Sequence, residues 1–273
     1  MFLWGGFAYL AFMVPSTLAG EIAKTIRSSS KLLAIVLFCA TLVTLPIQSA
    51  HLGDGWTDAF NGEILKGMLL ESGIGPSWFA QAAMASFVAC AVMLAPQRLR
   101  LLACLAGLFV ATRLLIGHAV MLDGTNELIL RLSYLTHLVA AGAWIGALVP
   151  VFLIMWQMTD QPTADQTTAL RRFSIAGHGA VALTVISGAV NGVLIRGRFS
   201  FNPASAYDSM LAAKIAIVAT MILIAIINRY LIVPRLRANA NAVLALRALT
   251  ATEFLLALLV LVLVNLFSTL NPH

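Results

Sequence analysis

Two histidines stand inside strongly apolar sequence in "GHAVMLDGTNELILRLSYLTHLVAAGAWIG", residues 117–146. His118 ends one apolar run and His137 begins the next, with a short polar turn between them. An ionisable group at the centre of a spanning helix costs about 2.5–3.5 kcal/mol, so residues of this kind mark a function or a deliberate pairing. Imidazole is a common ligand of copper and zinc, and thioether sulfur favours copper(I). Met121 shares a helix face with His118 at i+3, and His51 ends an earlier apolar run. The candidate metal ligands are therefore His118, His137, His51 and Met121, uncharged donors suited to a medium in which buried charge is costly. Two other readings stand beside this one. Each histidine can bond a carbonyl or the Glu253 carboxylate and serve as polar glue between helices. Alternatively, His118 and His137, at similar depth on adjacent helices, can supply both axial ligands of a b-type haem.

Further polar groups lie in apolar sequence: Arg113, His178, Lys214 and Glu253, with the neutral Gln48 and Asn191. Glu253 is expected to pair with Arg113 or Lys214, since a buried charge calls for compensation. Arg113, His178, Asn191, Lys214 and Glu253 are read as the polar surroundings of the site or as the onward path. Arg229 is expected to snorkel toward lipid headgroups, and Trp144 to pack. Cys39, Cys90 and Cys104 are dispersed, which argues against a disulfide framework and for small apolar filler. No nucleophile elbow, zincin helix or P-loop occurs, so hydrolytic chemistry and direct ATP coupling are not expected.

The elements that must position these groups follow from composition. A soluble domain carries about 25% charged residues; this chain of 273 residues carries 10%, against 60% hydrophobic residues and a mean hydropathy of +0.93. Eight apolar runs, each long enough for a hydrocarbon core of about 30 Å, cover 2–20, 31–50, 76–95, 99–122, 129–157, 172–195, 207–232 and 243–270. They read as α-helices, because lipid cannot satisfy open backbone groups and the alternation of a β-barrel is missing. The expected fold is thus all-α, one polytopic helical bundle over 1–273.

Charge placement gives the orientation. Lys24, Arg27, Lys31, Arg98, Arg100, Arg171, Arg172, Arg229, Arg235, Arg237 and Arg247 fall at one set of helix ends. The alternate connections hold only Lys66, Arg131, Arg196 and Arg198, and the first also carries Asp54, Asp58, Glu63 and Glu71. Positive residues stay on the cytoplasmic side, so both termini are expected to face outward. The net charge of +6 reflects this topology rather than a nucleic-acid partner. The first positive charge, Lys24, follows the first apolar run, which favours an uncleaved helix over a secretory signal. The outer connection over 51–76 carries a short amphipathic helix from Trp56 to Leu70, and Thr and Asp in "TDQPTADQTTALRR" can cap the sixth run. Ala140, Ala141, Gly142, Ala143 and Gly146 allow close approach of a neighbouring helix, expected to be the fourth run across the short turn.

The order of "GHA" (117–119), "HLVAAGAWIGAL" (137–148), "RRFSIAG" (171–177), "SGAVN" (187–191), "LAAKIAIVATMILIAIINR" (211–229) and Glu253 resembles the membrane domain of the copper resistance protein D (CopD) family. "GIGPSWFAQ" at 73–81 is similar to the family's approach to its third or fourth helix. The resemblance implies an eight-helix protein of the bacterial inner membrane that handles copper, as Cu⁺ or Cu²⁺, commonly with a separate or fused periplasmic CopC-like copper-binding protein. His118 and His137 match the family's intramembrane histidines; Asn191, Lys214, Asn228, Arg229 and Glu253 match its polar signature. His178 and His51 have no match, and the first helix lacks the Arg or His often found near the family's start. Copper permease is the expected function; a haem b redox protein and a metal-delivery factor without translocation are the alternatives.

Overall fold

The computed structural model describes residues 1–115, 124–158, 162–197, 201–202, 205–235 and 240–267. His118 and Met121 lie outside the described residues. The regular elements are helices: α1 Phe2–Phe12, α2 Ser16–Thr25, α3 Arg27–Leu52, α4 Gly62–Lys66, α5 Ile74–Leu94, α6 Leu99–Ala111, α7 Thr125–Trp156, α8 Ala164–Arg196, α9 Ala206–Ile227 and α10 Ala240–Phe267. Among the described residues, six stretches are long and apolar enough to cross a bilayer: Arg27–Leu52, Ile74–Leu94, Thr125–Trp156, Ala164–Arg196, Ala206–Arg235 and Ala242–Leu266.

The remaining two apolar runs are less regular. The first divides into α1 and α2 around Met13–Pro15, where proline has no N–H to continue the helix. The fourth is α-helical only to Ala111 and tightens into a 3-10 turn, Thr112–Leu115, at the edge of the described residues. The expected helix over 56–70 is also broken. A 3-10 turn at Trp56–Asp58, α4, and a π turn at Gly67–Glu71 replace it. There Asp58 accepts from the Asp54 backbone N–H at 2.7 Å and from Asn61 Nδ2 at 3.2 Å, and these bonds hold its carboxyl below the usual aspartate range.

α7 is the central helix, packed against α8, α1, α10 and α6, while α3–α5–α6 and α9–α10 make the flanking contacts. Its small residues do admit a neighbour closely, but the principal one is α1 rather than the fourth run. Gly5 sits against Gly142 and Gly146, and the Trp4 indole Nε1 donates to the Val139 carbonyl at 3.0 Å. Lipid tails are as apolar as leucine, so helix pairs in a bilayer associate through such close packing and hydrogen bonds. Beyond this crossing, Tyr9, Leu10, Leu18 and Ile22 pack with Val151, Ile154 and Met155, so the broken first run follows α7 along its length.

Helix ends are tied down by side chains. Thr163 and Gln166 form a capping box at the start of α8, as the Thr and Asp content of that loop leads one to expect. Arg172 Nη1 donates to the Met13 carbonyl at 3.2 Å. Arg247 of α10 donates to the carbonyls of Met155, Trp156 and Met158 at 3.0–3.2 Å, with its guanidinium 5.3 Å from the Trp156 ring centroid. These carbonyls lie at a helix C-terminus, where a cation also meets the negative end of the dipole. Arg247→Gln is expected to cost about 1.5–3 kcal/mol, the worth of hydrogen bonds to a charged group. An unchanged unfolding temperature in detergent would refute that role.

Candidate functional site

His137 lies four turns into α7 and its ring faces α8. Nδ1 stands 3.0 Å from the Thr184 carbonyl and 3.3 Å from Ser187 Oγ. A carbonyl can only accept, so Nδ1 must carry the hydrogen, and in the neutral ring the lone pair then belongs to Nε2. Metal-binding histidines have this arrangement, with one nitrogen orienting the ring through a carbonyl and the other left for the ion. Thr184, Ser187, Gly188 and Asn191 occupy one face of α8 at i, i+3, i+4 and i+7. Ser187 Oγ donates to the Leu183 carbonyl, and Ser133 Oγ of α7 donates to the Ser187 carbonyl at 3.1 Å. Gly188 leaves room for the ring, since a Cβ there would lie 3.1 Å from His137 Cε1.

Around this clamp are the polar groups read from the sequence. Lys214, on α9, is the nearby cation whose charge bears on the His137 ring. Asn191 is buried, and its Oδ1 has no hydrogen-bond partner among the described residues. At the adjoining ends of α8 and α9, Arg196 Nη1 is 3.5 Å from Asp208 Oδ1, while Asp208 Oδ2 accepts from the Asn202 N–H at 2.8 Å. His51 sits in the exposed last turn of α3, which packs on α5. Among the described residues, no three His, Cys, Asp or Glu side chains gather into a metal-binding group.

A second polar cluster lies farther along the bundle. A cavity of about 300 Å³ opens between α7, α8, α9 and α10, lined by Trp144, Met155, His178, Asn228, Arg229 and Glu253 among others. Trp144 is seven residues beyond His137, about 10 Å at 1.5 Å per residue. Glu253 is buried, and its Oε2 accepts from Asn228 Nδ2 at 3.1 Å. His178 Nδ1 bonds the Ser174 carbonyl at 2.6 Å, and its Nε2 is 3.3 Å from the Tyr230 hydroxyl.

The expected charge pairing needs correction. Arg113 Nη1 donates to Gln81 Oε1 on α5 at 3.0 Å, and the partner of Glu253 is an amide, not Arg113 or Lys214. In each case a neutral amide, rather than a counter-ion, meets the hydrogen-bonding needs of the ionisable group. Arg229 also lines the cavity, with its guanidinium 5.6 Å from the Tyr230 ring centroid. Gln81, Asp208, Tyr230 and the Thr184–Ser187–Gly188 face were missed from sequence. Of these, an Asp in an apolar run shortly after Arg196, and Ser-Gly spaced from Asn191, were visible signals.

Residues 1–128 match the family described as copper resistance protein D-like, N-terminal domain, and residues 167–267 match copper resistance protein D. Over 274 residues the chain is 30% identical to inner membrane protein YebZ of Escherichia coli (strain K12), covering 100% of this chain and 94% of that protein. The chain belongs to the copper resistance protein D family. Within the family it is 27% identical over 267 residues to copper resistance protein D of Pseudomonas syringae pv. tomato, covering 92% and 84% of the two chains. It is 30% identical over 202 residues to copper transport protein CutJ of Bacillus subtilis (strain 168), covering 69% of this chain and 36% of that one. No solved structure matches. With its apolar helices, this membership makes the chain a multi-pass inner-membrane protein.

Proposed function

We propose that this family member is a copper permease that accepts copper at the periplasmic face through His137 Nε2 and His118. The observation that carries the reading is the Nδ1 bond to Thr184, which leaves an oriented lone pair on Nε2 within a spanning helix. His51 or Met121 serves as the first outer ligand, and a separate CopC-like protein delivers the metal. The proposed topology is eight spans with both termini periplasmic, a reading supported by the Lys and Arg distribution. From His137 the ion passes Trp144 into the cavity between α7, α8, α9 and α10, with Asn191 and Lys214 beside the first site and Arg113 bracing α5 and α6. Cu⁺ suits imidazole and thioether donors; Cu²⁺ suits imidazole alone. The names of two relatives, copper resistance protein D and copper transport protein CutJ, support copper as the cargo.

Copper titration of the purified protein tests this. His118→Ala combined with His137→Ala is expected to weaken binding at least about 100-fold, beyond the effect of losing an outer-shell partner. Unchanged stoichiometry and affinity would remove the assignment. The same samples separate copper from haem b, since a Soret band lost on replacing either histidine would favour haem. Copper flux into sealed proteoliposomes distinguishes a permease from a delivery factor.

A further inference from the structure

Glu253 is 4% exposed within a spanning stretch, and its one hydrogen-bond partner among the described residues is Asn228 Nδ2. The charged and titratable side chains on the surrounding elements are otherwise engaged. Arg229 stacks over Tyr230, Arg247 is held by the carbonyls of Met155, Trp156 and Met158, the charge of Lys214 bears on His137, and Arg113 bonds Gln81. The ring of Tyr9 on α1 packs edge-on against Phe173, and its buried hydroxyl has no hydrogen-bond partner among the described residues. A carboxylate locked to a cation would stay ionised throughout a transport cycle. One held by an amide need not.

The amide supports both protonation states. With Nδ2 toward Glu253, as found, Asn228 donates to an ionised carboxylate. Turned over, its Oδ1 accepts the hydrogen of a neutral acid. Asn228 Oδ1 is buried and has no partner among the described residues in the present orientation, so the reversal breaks no hydrogen bond with them on that side. Asn228 also opens a π turn, Asn228–Ile232, a departure from regular helix common at functional positions. The shared cavity, about 300 Å³, has room for several waters at about 30 Å³ each. His178 on its wall has Nδ1 fixed by Ser174, so Nε2 accepts from the hydroxyl of Tyr230, an exposed residue.

We propose that Glu253 is a proton-exchange site, taking up a proton through the cavity and releasing it there, and that this exchange is coupled to copper passage. The step is a simple transfer, hydronium plus carboxylate giving water plus carboxylic acid, and its reverse. The coupling rests on the permease reading; the site itself does not.

Two measurements test it. Infrared titration of the detergent-solubilised full chain is expected to show a carboxylic-acid C=O band that comes and goes with pH and shifts in heavy water. Glu253→Gln should lose that band and Glu253→Asp should retain a titrating one. No titrating difference between wild type and Glu253→Gln would overturn the site. In proteoliposomes with the membrane potential clamped, one proton exchanged per copper shifts the equilibrium copper ratio by about tenfold per pH unit of gradient. Whatever copper Glu253→Gln passes, at whatever rate, should settle at a ratio that ignores the gradient, and a ratio that still follows it overturns the coupling. A wild-type ratio that ignores it overturns the coupling. Absence of any wild-type copper flux, with the infrared band still titrating, would instead sink the permease reading and leave the proton site standing.

Discussion

Gly188→Val is expected, on the proposal that His137 holds copper, to weaken copper binding by about 10–100-fold without removing a single ligand, the range for loss of a partner that orients a metal-binding histidine. The Thr184 group that holds His137 is a backbone carbonyl, so replacing the Thr184 side chain does not test it. Gly188 offers another route. A Cβ at that position would lie 3.1 Å from His137 Cε1 and 3.3 Å from Nδ1, and valine adds two methyl groups beyond it. The ring must then swing off α8, which breaks the 3.0 Å bond to Thr184 and turns Nε2 away from its present direction. Gly192→Val is the control: it lies one turn along α8, and a Cβ there meets nothing within 4 Å. Competition with a chelator of known affinity measures both. Equal affinities for the two variants would mean that the clamp on His137 has no part in holding metal.

The sequence was most legible where lipid imposes a one-dimensional rule. Six of the expected runs fall on helices long and apolar enough to span, and the Thr163 cap lies where Thr and Asp precede the sixth run. Position along a helix was therefore readable for His137, Asn191, Lys214 and Glu253. Facing was much less so. In a soluble helix an apolar stripe against a polar face shows which side turns inward; a spanning helix is apolar on the lipid side as well. This is why Gly142 and Gly146 were recognised as a close-approach surface but assigned the wrong partner. α1 is distant in sequence from α7, and no periodicity links them. The same blindness led to Arg113 being matched with Glu253 by charge, when each had found a neutral amide, Gln81 or Asn228. His137 is intermediate: its residue type gave the chemistry, while the free nitrogen became assignable only from the Thr184 carbonyl.

The largest stability effect is expected at the crossing of α1 and α7. Gly5→Ala adds one methyl group, yet that Cβ would overlap the Gly142 carbonyl and lie 2.8 Å from Gly146 Cα and 3.0 Å from the Ala143 carbonyl oxygen. All three are backbone atoms of the central helix, so no side chain can rotate aside, and α1 has to withdraw. Withdrawal loosens the Trp4 bond to Val139 and the packing of Tyr9 and Leu10 against the second half of α7. Overpacking of this kind costs about 1–3 kcal/mol where neighbours can yield, and more where they cannot. Gly5→Ala is therefore expected to lower the unfolding temperature in detergent markedly, and Gly5→Leu to prevent accumulation of folded protein. Gly20→Ala provides the contrast. It sits in α2 with nothing within 4 Å of its notional Cβ, so alanine there should be neutral or stabilising by up to about 1 kcal/mol through helix propensity. If Gly5→Ala and Gly20→Ala unfold at the same temperature, α1 does not approach α7 through its glycines, and the central helix is held by other contacts.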